Sequence, residues 1–383
     1  MKKLQLKRLI DVILILLKSR KEFFKPSQCE ILIYDATFPN HLISYLEKYR
    51  YSILPTRGES INLIVLLRAI LKMKFSINEI FRSYIDSYIE ITNPSVILTF
   101  IDNNPKFYLL KVRFESKKTI FIQNGVRTMA GDVFGVINQN EEYFVDYMLV
   151  HNEEIGKKYK QYISGEILSI GSFLNNALPQ NVKAIRNRIV FVSQFYPKFE
   201  FTFGSEEYWN EFYDAERACL KSIKKWCIEN GKDLVVAGRS SGKDDLEKRF
   251  FENQLGSFSF TYVPHRGYEA SYALVSSAEL TIFIDSTLGF EALARGIKVA
   301  CFSVRSATGV PQYRFGWPAQ LPANGPFWTN EINEDIFIKI LDYIDNLSPK
   351  EWDLVSNKFK PIVMEFDPGN SELTKLLDEL LER

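Results

Sequence analysis

The chain has 383 residues, of which 46% are hydrophobic and 14% aromatic, and this composition excludes an intrinsically disordered protein. At about 150 residues per domain, the length predicts roughly two domains, each large enough to bury its own core. Forty-eight Lys and Arg residues against 47 Asp and Glu residues leave a formal net charge of +1. Because no overall positive field would attract a polyanion, we expect no nucleic-acid partner.

The first segment, Met1 to Lys25, places a mostly apolar run at residues 9–17 between clusters of Lys and Arg. The run is shorter than the roughly 20 residues that cross a bilayer, and no small-residue cleavage site follows it. Two interpretations stay open: peripheral contact of a basic amphipathic helix with an anionic membrane, or a first helix packed on its own domain.

Four cysteines lie far apart and form no CxxC pair, which argues against a disulfide scaffold and a zinc knuckle. We therefore expect a cytoplasmic protein, and contact through the first segment would place it at the inner face of the cytoplasmic membrane.

Short apolar runs alternate with helical patterns through the first half of the chain. The predicted strands are residues 30–35, 95–102, 118–123 and 146–151, and the predicted helices are 41–49 and 153–162. Strand followed by helix, repeated, indicates a parallel sheet.

The same alternation begins again after a stretch rich in Asn and Pro near residues 173–188. The predicted strands there are 188–193, 233–237, 258–263, 280–284 and 298–302, and the predicted helices are 207–230, 243–254, 267–278, 288–295, 335–347 and 371–381. The fold class is therefore α/β, with two Rossmann-like domains facing each other across a cleft. We place the first domain at 1–178, the second at 179–345 and closing helices at 346–383, which could pack back on the first domain.

Ligands of such sheets bind beyond the carboxyl ends of the strands, and in the second half those positions are polar. The donor or nucleotide-binding candidates are Arg239, Ser240, Ser241, His265, Asp285, Ser286, Thr287 and Leu288. Ser286 and Thr287 open a helix, where free backbone N–H groups and the helix dipole favour phosphate, although they could simply cap that helix. Glu291 lies about one helical turn further on, where it could accept hydrogen bonds from ribose hydroxyls.

In the first half, Gln123, Asn124 and Arg127 follow a predicted strand and are candidates for acceptor or sugar binding. An acceptor hydroxyl needs a base, and Asp102 or Asp132 could remove its proton from this domain. Both aspartates lie near Asn or Gly, so each could equally be a turn residue. His265, when protonated, could neutralise a leaving phosphate, which makes it a third catalytic candidate.

Several motifs are missing from the sequence. It contains no GxxxxGK[ST], no GxGxxG after the first strand, no HExxH and no Asp-x-Asp, so we expect neither a bound cofactor nor a catalytic metal. Residues 238–242 match the GxSxG pattern of hydrolases, but His265, the one downstream histidine, follows the very next strand. We interpret this segment as a Gly-rich turn.

Residues 284–296, IDSTLGFEALARG, resemble the nucleotide-binding segment of GT-B glycosyltransferases. Residues 315–318 and 325–330 are similar to bacterial surface-carbohydrate biosynthesis proteins of lipopolysaccharide and capsule pathways, and 123–125, 151–152 and 170–172 agree with them. The resemblance covers about residues 97–330. It brings to mind transferases that use CMP donors of nonulosonic acids or Kdo, where Arg239, His265 and Arg127 would meet the sugar carboxylate and the phosphate. No aspartate matches a family base or nucleophile, so inversion and retention both stay open.

The leading hypothesis is a metal-independent glycosyltransferase that moves a sugar from a nucleotide donor onto a bacterial surface glycan such as O-antigen or capsule, or onto a lipid-linked acceptor. One alternative is a nucleotide-sugar epimerase of the UDP-GlcNAc 2-epimerase type, which needs no acceptor. The other is a glycan-assembly partner that has no catalytic activity.

Overall fold

The structure is a computed structural model that describes residues 17–37, 39–72, 77–127, 140–179, 183–195, 206–239, 244–304 and 321–382. The strands are β1 Arg20–Glu22, β2 Ile31–Tyr34, β3 Tyr51–Leu54, β4 Ser60–Asn62, β5 Val96–Thr99, β6 Lys118–Ile122, β7 Phe144–Val150, β8 Ser164–Ser169, β9 Arg188–Val192, β10 Asp233–Ala237, β11 Thr261–Val263, β12 Leu280–Phe283, β13 Val299–Phe302 and β14 Trp328–Thr329.

The helices alternate with these strands along much of the chain. They are α1 Asn40–Leu46, α2 Leu63–Leu71, α3 Ile77–Thr92, α4 Pro105–Tyr108, α5 Leu110–Arg113, α6 Glu153–Tyr159, α7 Phe173–Asn176, α8 Glu206–Asn230, α9 Asp244–Leu255, α10 Tyr268–Ser276, α11 Thr287–Ala294, α12 Glu334–Asn346, α13 Pro349–Ser356, α14 Lys360–Val363 and α15 Ser371–Leu380.

Two parallel six-stranded sheets form the centres of the two domains. The first has the order β3-β2-β5-β6-β7-β8 and the second the order β11-β10-β9-β12-β13-β14, and every neighbouring pair is parallel. Strands such as β2, β5 and β13 are buried along their whole length, which explains why they appear in the sequence as unbroken apolar runs. The predicted α/β fold of two Rossmann-like domains is confirmed.

Each sheet reverses its strand order at one point, between β2 and β5 in the first and between β9 and β12 in the second. Such a reversal leaves a crevice at the carboxyl ends of the two strands, because their connections leave in opposite directions. Asp35 and Asp102 follow the strands at the first crevice, and Ser193 and Asp285 follow those at the second.

The end of the chain is divided between the two domains. Trp352 of α13 is buried in the core of the second domain and donates its indole N–H to the Gly296 carbonyl oxygen at 2.9 Å. Leu373 and Leu377 of α15 are instead buried against the first sheet. Within the predicted closing unit 346–383, it is therefore α15 that packs on the first domain.

Candidate functional site

The two segments that the sequence singled out meet between the domains. The loop of residues 123–127 follows β6 in the first sheet, and Thr287 begins α11 after β12 in the second. The backbone N–H of Val126 donates to Thr287 Oγ1 at 3.3 Å. A Cβ on Gly125 would lie 3.9 Å from the same oxygen, so the loop backbone approaches the helix closely. The segments predicted to bind acceptor and donor thus lie against each other across the gap between the domains, and their roles stay predictions.

The start of α11 has the geometry of an open helix end. Ser286 occupies the N-cap position with an extended backbone, and its side chain makes no capping hydrogen bond. The first intrahelical bond runs from the Gly289 N–H to the Ser286 carbonyl oxygen at 3.0 Å, so the amides of Thr287 and Leu288 lie ahead of the helical ladder. Asp285, Ser286, Thr287 and Leu288 are all partly exposed. An anion at this end would meet backbone N–H groups and the positive end of the helix dipole.

Glu291 faces the first domain from within α11 and is buried. Its carboxylate accepts a hydrogen bond from the Ser172 hydroxyl and another from the Tyr272 hydroxyl, and the Asn175 side-chain amide donates to its backbone oxygen at 3.3 Å. Burial raises the pKa of Glu291 above its ordinary value. The ribose contact proposed from the sequence stays a prediction, and it would require the carboxylate to exchange these partners.

Asp102 and Arg127, predicted as a base and a sugar-binding residue, form an ion pair with each other. Arg127 Nε donates to Asp102 Oδ2 at 2.7 Å, and its Nη2 donates to Oδ1. The Tyr159 hydroxyl also donates to Asp102, whose side chain is fully buried. Proton abstraction by Asp102 stays a prediction. These donors enclose the carboxylate as placed, so the role would require it to exchange one of them for an acceptor hydroxyl. As placed, Asp102 holds the 123–127 loop through Arg127 and accepts the Asn124 backbone N–H at 3.4 Å.

Gln123 shapes the same loop from inside. Its side-chain amide donates to the Gly125 carbonyl oxygen at 2.7 Å, while its Oε1 accepts the backbone N–H of His151 at 2.9 Å. Burial lowers the pKa of His151 to about 3, so this ring stays neutral at physiological pH. Asn124 is partly exposed, whereas Gln123 and Asp102 are buried. Of these three predicted residues, Asn124 is therefore the most accessible to solvent.

Two further candidates, Arg239 and His265, follow β10 and β11 at the carboxyl edge of the second sheet, two and three strands from β12. Arg239 is exposed, and its backbone N–H donates to Glu247 Oε1 at 2.9 Å. Glu247 is fully buried and also accepts from the hydroxyls of Ser193 and Tyr262, so it ties together the segments around β9, β10 and β11. His265 is half-buried, with its Nδ1 3.1 Å from the Ser271 hydroxyl.

Three predicted candidates, Ser240, Ser241 and Asp132, lie outside the residues that the structure describes. Phe327 and Trp328, from the segment that carried part of the resemblance, are buried in the core of the second domain. Among the described residues, no group of three or more His, Cys, Asp or Glu side chains is arranged to hold a metal ion.

His41, which the sequence analysis did not single out, lies close to the predicted candidate His265. It belongs to α1 in the first domain, and its ring lies 5.6 Å from that of Tyr268 in α10 of the second domain, nearly perpendicular to it. Tyr268 in turn lies 6.2 Å from His265, so the two histidines flank one tyrosine from opposite domains. Burial lowers the pKa of His41, while nearby Glu269 acts in the opposite direction. Its only signal in the sequence was its position after the first predicted strand.

Comparison with solved structures supports the same architecture. The chain is similar to a Listeria monocytogenes protein described as a "putative UDP-N-acetylglucosamine 2-epimerase", with 14% identity, a TM-score of 0.58 and coverage of 93% of this chain and 98% of the other. It is also similar to the UDP-GlcNAc 2-epimerase of Neisseria meningitidis bound to UDP-GlcNAc, with 14% identity, a TM-score of 0.54 and coverage of 92% and 99%.

A third similar structure is the UDP-GlcNAc 2-epimerase of Methanocaldococcus jannaschii in complex with UDP-GlcNAc and UDP, with 13% identity, a TM-score of 0.52 and coverage of 90% and 98%. At these identities the likeness establishes the fold alone, and that fold is GT-B. A search of curated proteins finds no significant match to the sequence.

Sequence comparison with protein families is more specific. A family described as "putative O-antigen biosynthesis protein" matches residues 120–381, which include the loop after β6, the whole second domain and α15. This match and the GT-B fold assign the protein a role in the biosynthesis of surface glycans. The chain belongs to this O-antigen biosynthesis protein family.

Proposed function

We propose that the protein is a glycosyltransferase that binds a nucleotide-activated sugar at the start of α11 and transfers the sugar to an acceptor held by the first domain. The observation that carries this proposal is the approach of the 123–127 loop to Thr287 across the domain gap. A donor phosphate at the helix end would lie beside the loop that faces the acceptor, which brings the reacting groups together.

Three features of the chain would stabilise the leaving phosphate without a metal ion. The helix end supplies about half a positive charge, and Arg239 and His265, which follow β10 and β11, would add hydrogen-bond donors from the same edge of the sheet. The protein would then need no bound cofactor. A transferase of this kind would retain its activity in the presence of a chelator such as EDTA.

For the donor we propose a CMP-activated acidic sugar, a nonulosonic acid or Kdo, because the planar fork of Arg239 suits a carboxylate or a single phosphate. Its Nη1 donates to the Gln194 carbonyl oxygen at 3.4 Å, and a bound donor would exchange that contact. The acceptor would be a growing O-antigen or capsule glycan, or a lipid that carries it, at the inner face of the cytoplasmic membrane. Parallel titrations with CMP, UDP and CDP test the donor class, and preference for a uridine nucleotide would refute the CMP assignment.

A matched pair of substitutions tests the site. Thr287→Val removes the hydroxyl at the helix start and preserves the shape of the side chain. Thr281→Val makes the same change in β12, where the Thr281 hydroxyl is buried. We expect Thr287→Val to weaken nucleotide binding about tenfold, seen as a smaller rise in melting temperature with ligand, and Thr281→Val to leave it unchanged. Equal binding by both variants would place the donor elsewhere.

A nucleotide-sugar epimerase is the second candidate function, since the three similar solved structures carry the name UDP-GlcNAc 2-epimerase, one of them as putative. The two reactions differ in what they consume. Incubation with a nucleotide sugar alone would give an isomer if the protein is an epimerase, whereas a transferase would release the nucleotide only when an acceptor is present.

A further inference from the structure

The first domain exposes an apolar surface that no described part of the chain covers. We call it the α2 surface, and its residues are Leu17, Phe23, Phe24, Ile64, Leu67, Ile70 and Leu71. Phe24 is 88% exposed, Leu71 79% and Leu67 60%, whereas large apolar side chains that pack against other elements are mostly buried. Several large apolar side chains this exposed on one part of a domain indicate a surface that contacts another phase or molecule.

The side chains of the α2 surface are held next to each other by regular structure. Strand β1 pairs with β4, and the Asn62 side-chain amide at the end of β4 donates to the Phe24 carbonyl oxygen at 2.7 Å. The Asn62 Oδ1 also caps α2 by accepting from the Ile64 N–H at 3.1 Å. Phe23 and Phe24 therefore lie beside the first turn of the helix.

Helix α2 is apolar on both its inner and its outer face. Val65 and Ala69 are fully buried against the domain core, while Leu67 and Leu71 point outward. A helix of an isolated soluble domain normally carries polar residues on its outer face. The outer face of α2 has instead the composition of a helix that lies in a membrane interface.

Basic residues surround the α2 surface. Residues 17–25 and 63–72 contain six basic side chains and one acidic side chain, whereas the whole chain has 48 basic and 47 acidic residues. Lys18 and Lys25 are exposed, Arg20 pairs with the single acid Glu22, and Arg68 and Lys72 both pair with Glu90 of α3. An apolar patch bordered by Lys and Arg matches the interface of an anionic bilayer, where acyl chains lie beneath negative headgroups.

The α2 surface adjoins the cleft edge of the first domain. The loop between β3 and β4 leads to it, and in that loop Arg57 Nε lies 2.9 Å from Asp35 Oδ2. Asp35 directly follows β2 at the carboxyl edge of the sheet, beside the reversal of strand order. Through this loop and β4, the start of α2 is therefore joined to the carboxyl edge of the first sheet, where the proposed acceptor would bind.

We propose that the α2 surface binds an anionic phospholipid bilayer, with its leucine and phenylalanine side chains in the interface and its lysines against the headgroups. The inference deepens the proposed function, since it would bring a lipid-linked acceptor to the first domain. Membrane binding can nevertheless be measured without a donor, so it can fail while nucleotide binding succeeds, and the reverse also holds.

The test is co-sedimentation of the full chain with vesicles of phosphatidylcholine, with and without phosphatidylglycerol. The double variant Leu67→Ser/Leu71→Ser should bind anionic vesicles at least tenfold more weakly than the parent. Lys18→Ser/Lys25→Ser should lose the preference for phosphatidylglycerol, and added salt should have the same effect on the parent. Leu354→Ser is the matched control, because Leu354 is 70% exposed on α13 in the other domain, and it should bind like the parent.

Three results would overturn the proposal. The first is unchanged binding of the double leucine variant. The second is a dimer of the parent, detected by sedimentation velocity, that the double leucine variant dissociates, because a second copy would then cover the surface. The third is equal binding of the parent to vesicles with and without phosphatidylglycerol, because the lysines would then make no contact with anionic headgroups.

Discussion

The packing of α11 against β12 leaves no room for a side chain at Gly289, and this gives a sharp prediction for Gly289→Ala. An added Cβ would lie 2.0 Å from Phe283 Cγ and 2.3 Å from both ring Cδ atoms. The helix and the ring would have to separate by about 1.5 Å to reach an ordinary carbon–carbon contact. Phe283 is fully buried and stacks edge-on against Phe290 at 5.0 Å, so the ring has little freedom to move.

The expected magnitude follows from two opposing effects. Overpacking a buried site costs about 1–3 kcal/mol, and the close approach to a whole ring places Gly289→Ala at the upper end of that range. Alanine is a better helix former than glycine by about 1 kcal/mol, which offsets part of the loss. We therefore expect the free energy of unfolding to fall by about 2 kcal/mol, with weaker nucleotide binding because the helix start at Thr287 is displaced.

Urea unfolding followed by tryptophan fluorescence is a suitable assay, because Trp226, Trp328 and Trp352 are buried in the core of the second domain and all five tryptophans come after residue 200 in the sequence. Phe283→Leu should relieve much of the penalty when combined with Gly289→Ala, which a double-mutant cycle detects. Gly231→Ala is the control for backbone strain alone, since Gly231 has a φ of 60° and an added Cβ would contact nothing within 4 Å. Unchanged stability of Gly289→Ala, or no relief by Phe283→Leu, would refute the packing argument.

Two further substitutions test the buried carboxyl groups around the site. Because burial raises the pKa of Glu291, the folded state binds its proton more tightly than the unfolded state, so stability should fall as the pH rises from the ordinary value of 4.5 towards the raised pKa. Glu291→Gln should flatten that slope in urea midpoints measured against pH, and an identical slope in parent and variant would contradict the assignment. Asp102→Asn should lower the free energy of unfolding of the first domain by about 3 kcal/mol, measured by circular dichroism, because it leaves the Arg127 charge poorly compensated. Asp86→Asn, which breaks the more exposed pair with Arg113, should cost less, and the reverse order would show that Asp102 carries no buried charge.

Most of the strands that were predicted from the sequence are buried over most of their length, as β2, β5 and β13 are over all of it. The edge strand β11 was predicted as well, from an aromatic-rich run, although none of its residues is fully buried. Residues 188–193 and 280–284 were predicted as strands because their apolar runs are unbroken, and the structure confirms β9 and β12 there. Strand β3 was missed because it lies at the edge of its sheet, where three of its four residues are not fully buried. The order of the strands depends on which neighbours pair in space, and a single sequence does not contain that information.

The site was predicted as a set of segments but not as a set of contacts. Polar residues after strands identified both the 123–127 loop and the start of α11, because parallel sheets gather their strand ends at one edge. The pairing of Asp102 with Arg127 and the burial of Glu291 depend on side-chain directions fixed only in the folded chain. The buried hydrogen bonds of Glu247 could not be predicted either. In the sequence it is one of several acids in the first turn of a helix, a position that acids commonly occupy on exposed faces.

The contacts between the domains differ in kind from one side of the cleft to the other. Around Ser172, the domains are joined by buried hydrogen bonds to Glu291 and by the Asn152 side-chain amide, which donates to the Val363 carbonyl oxygen at 2.8 Å. On the side of His41, the contact is between partly exposed rings of His41 and Tyr268. Separating buried polar partners costs more than parting exposed rings, because the buried groups would lose their hydrogen bonds. We therefore expect the domains to part more easily at the His41 side, where His265 also lies, than around Ser172.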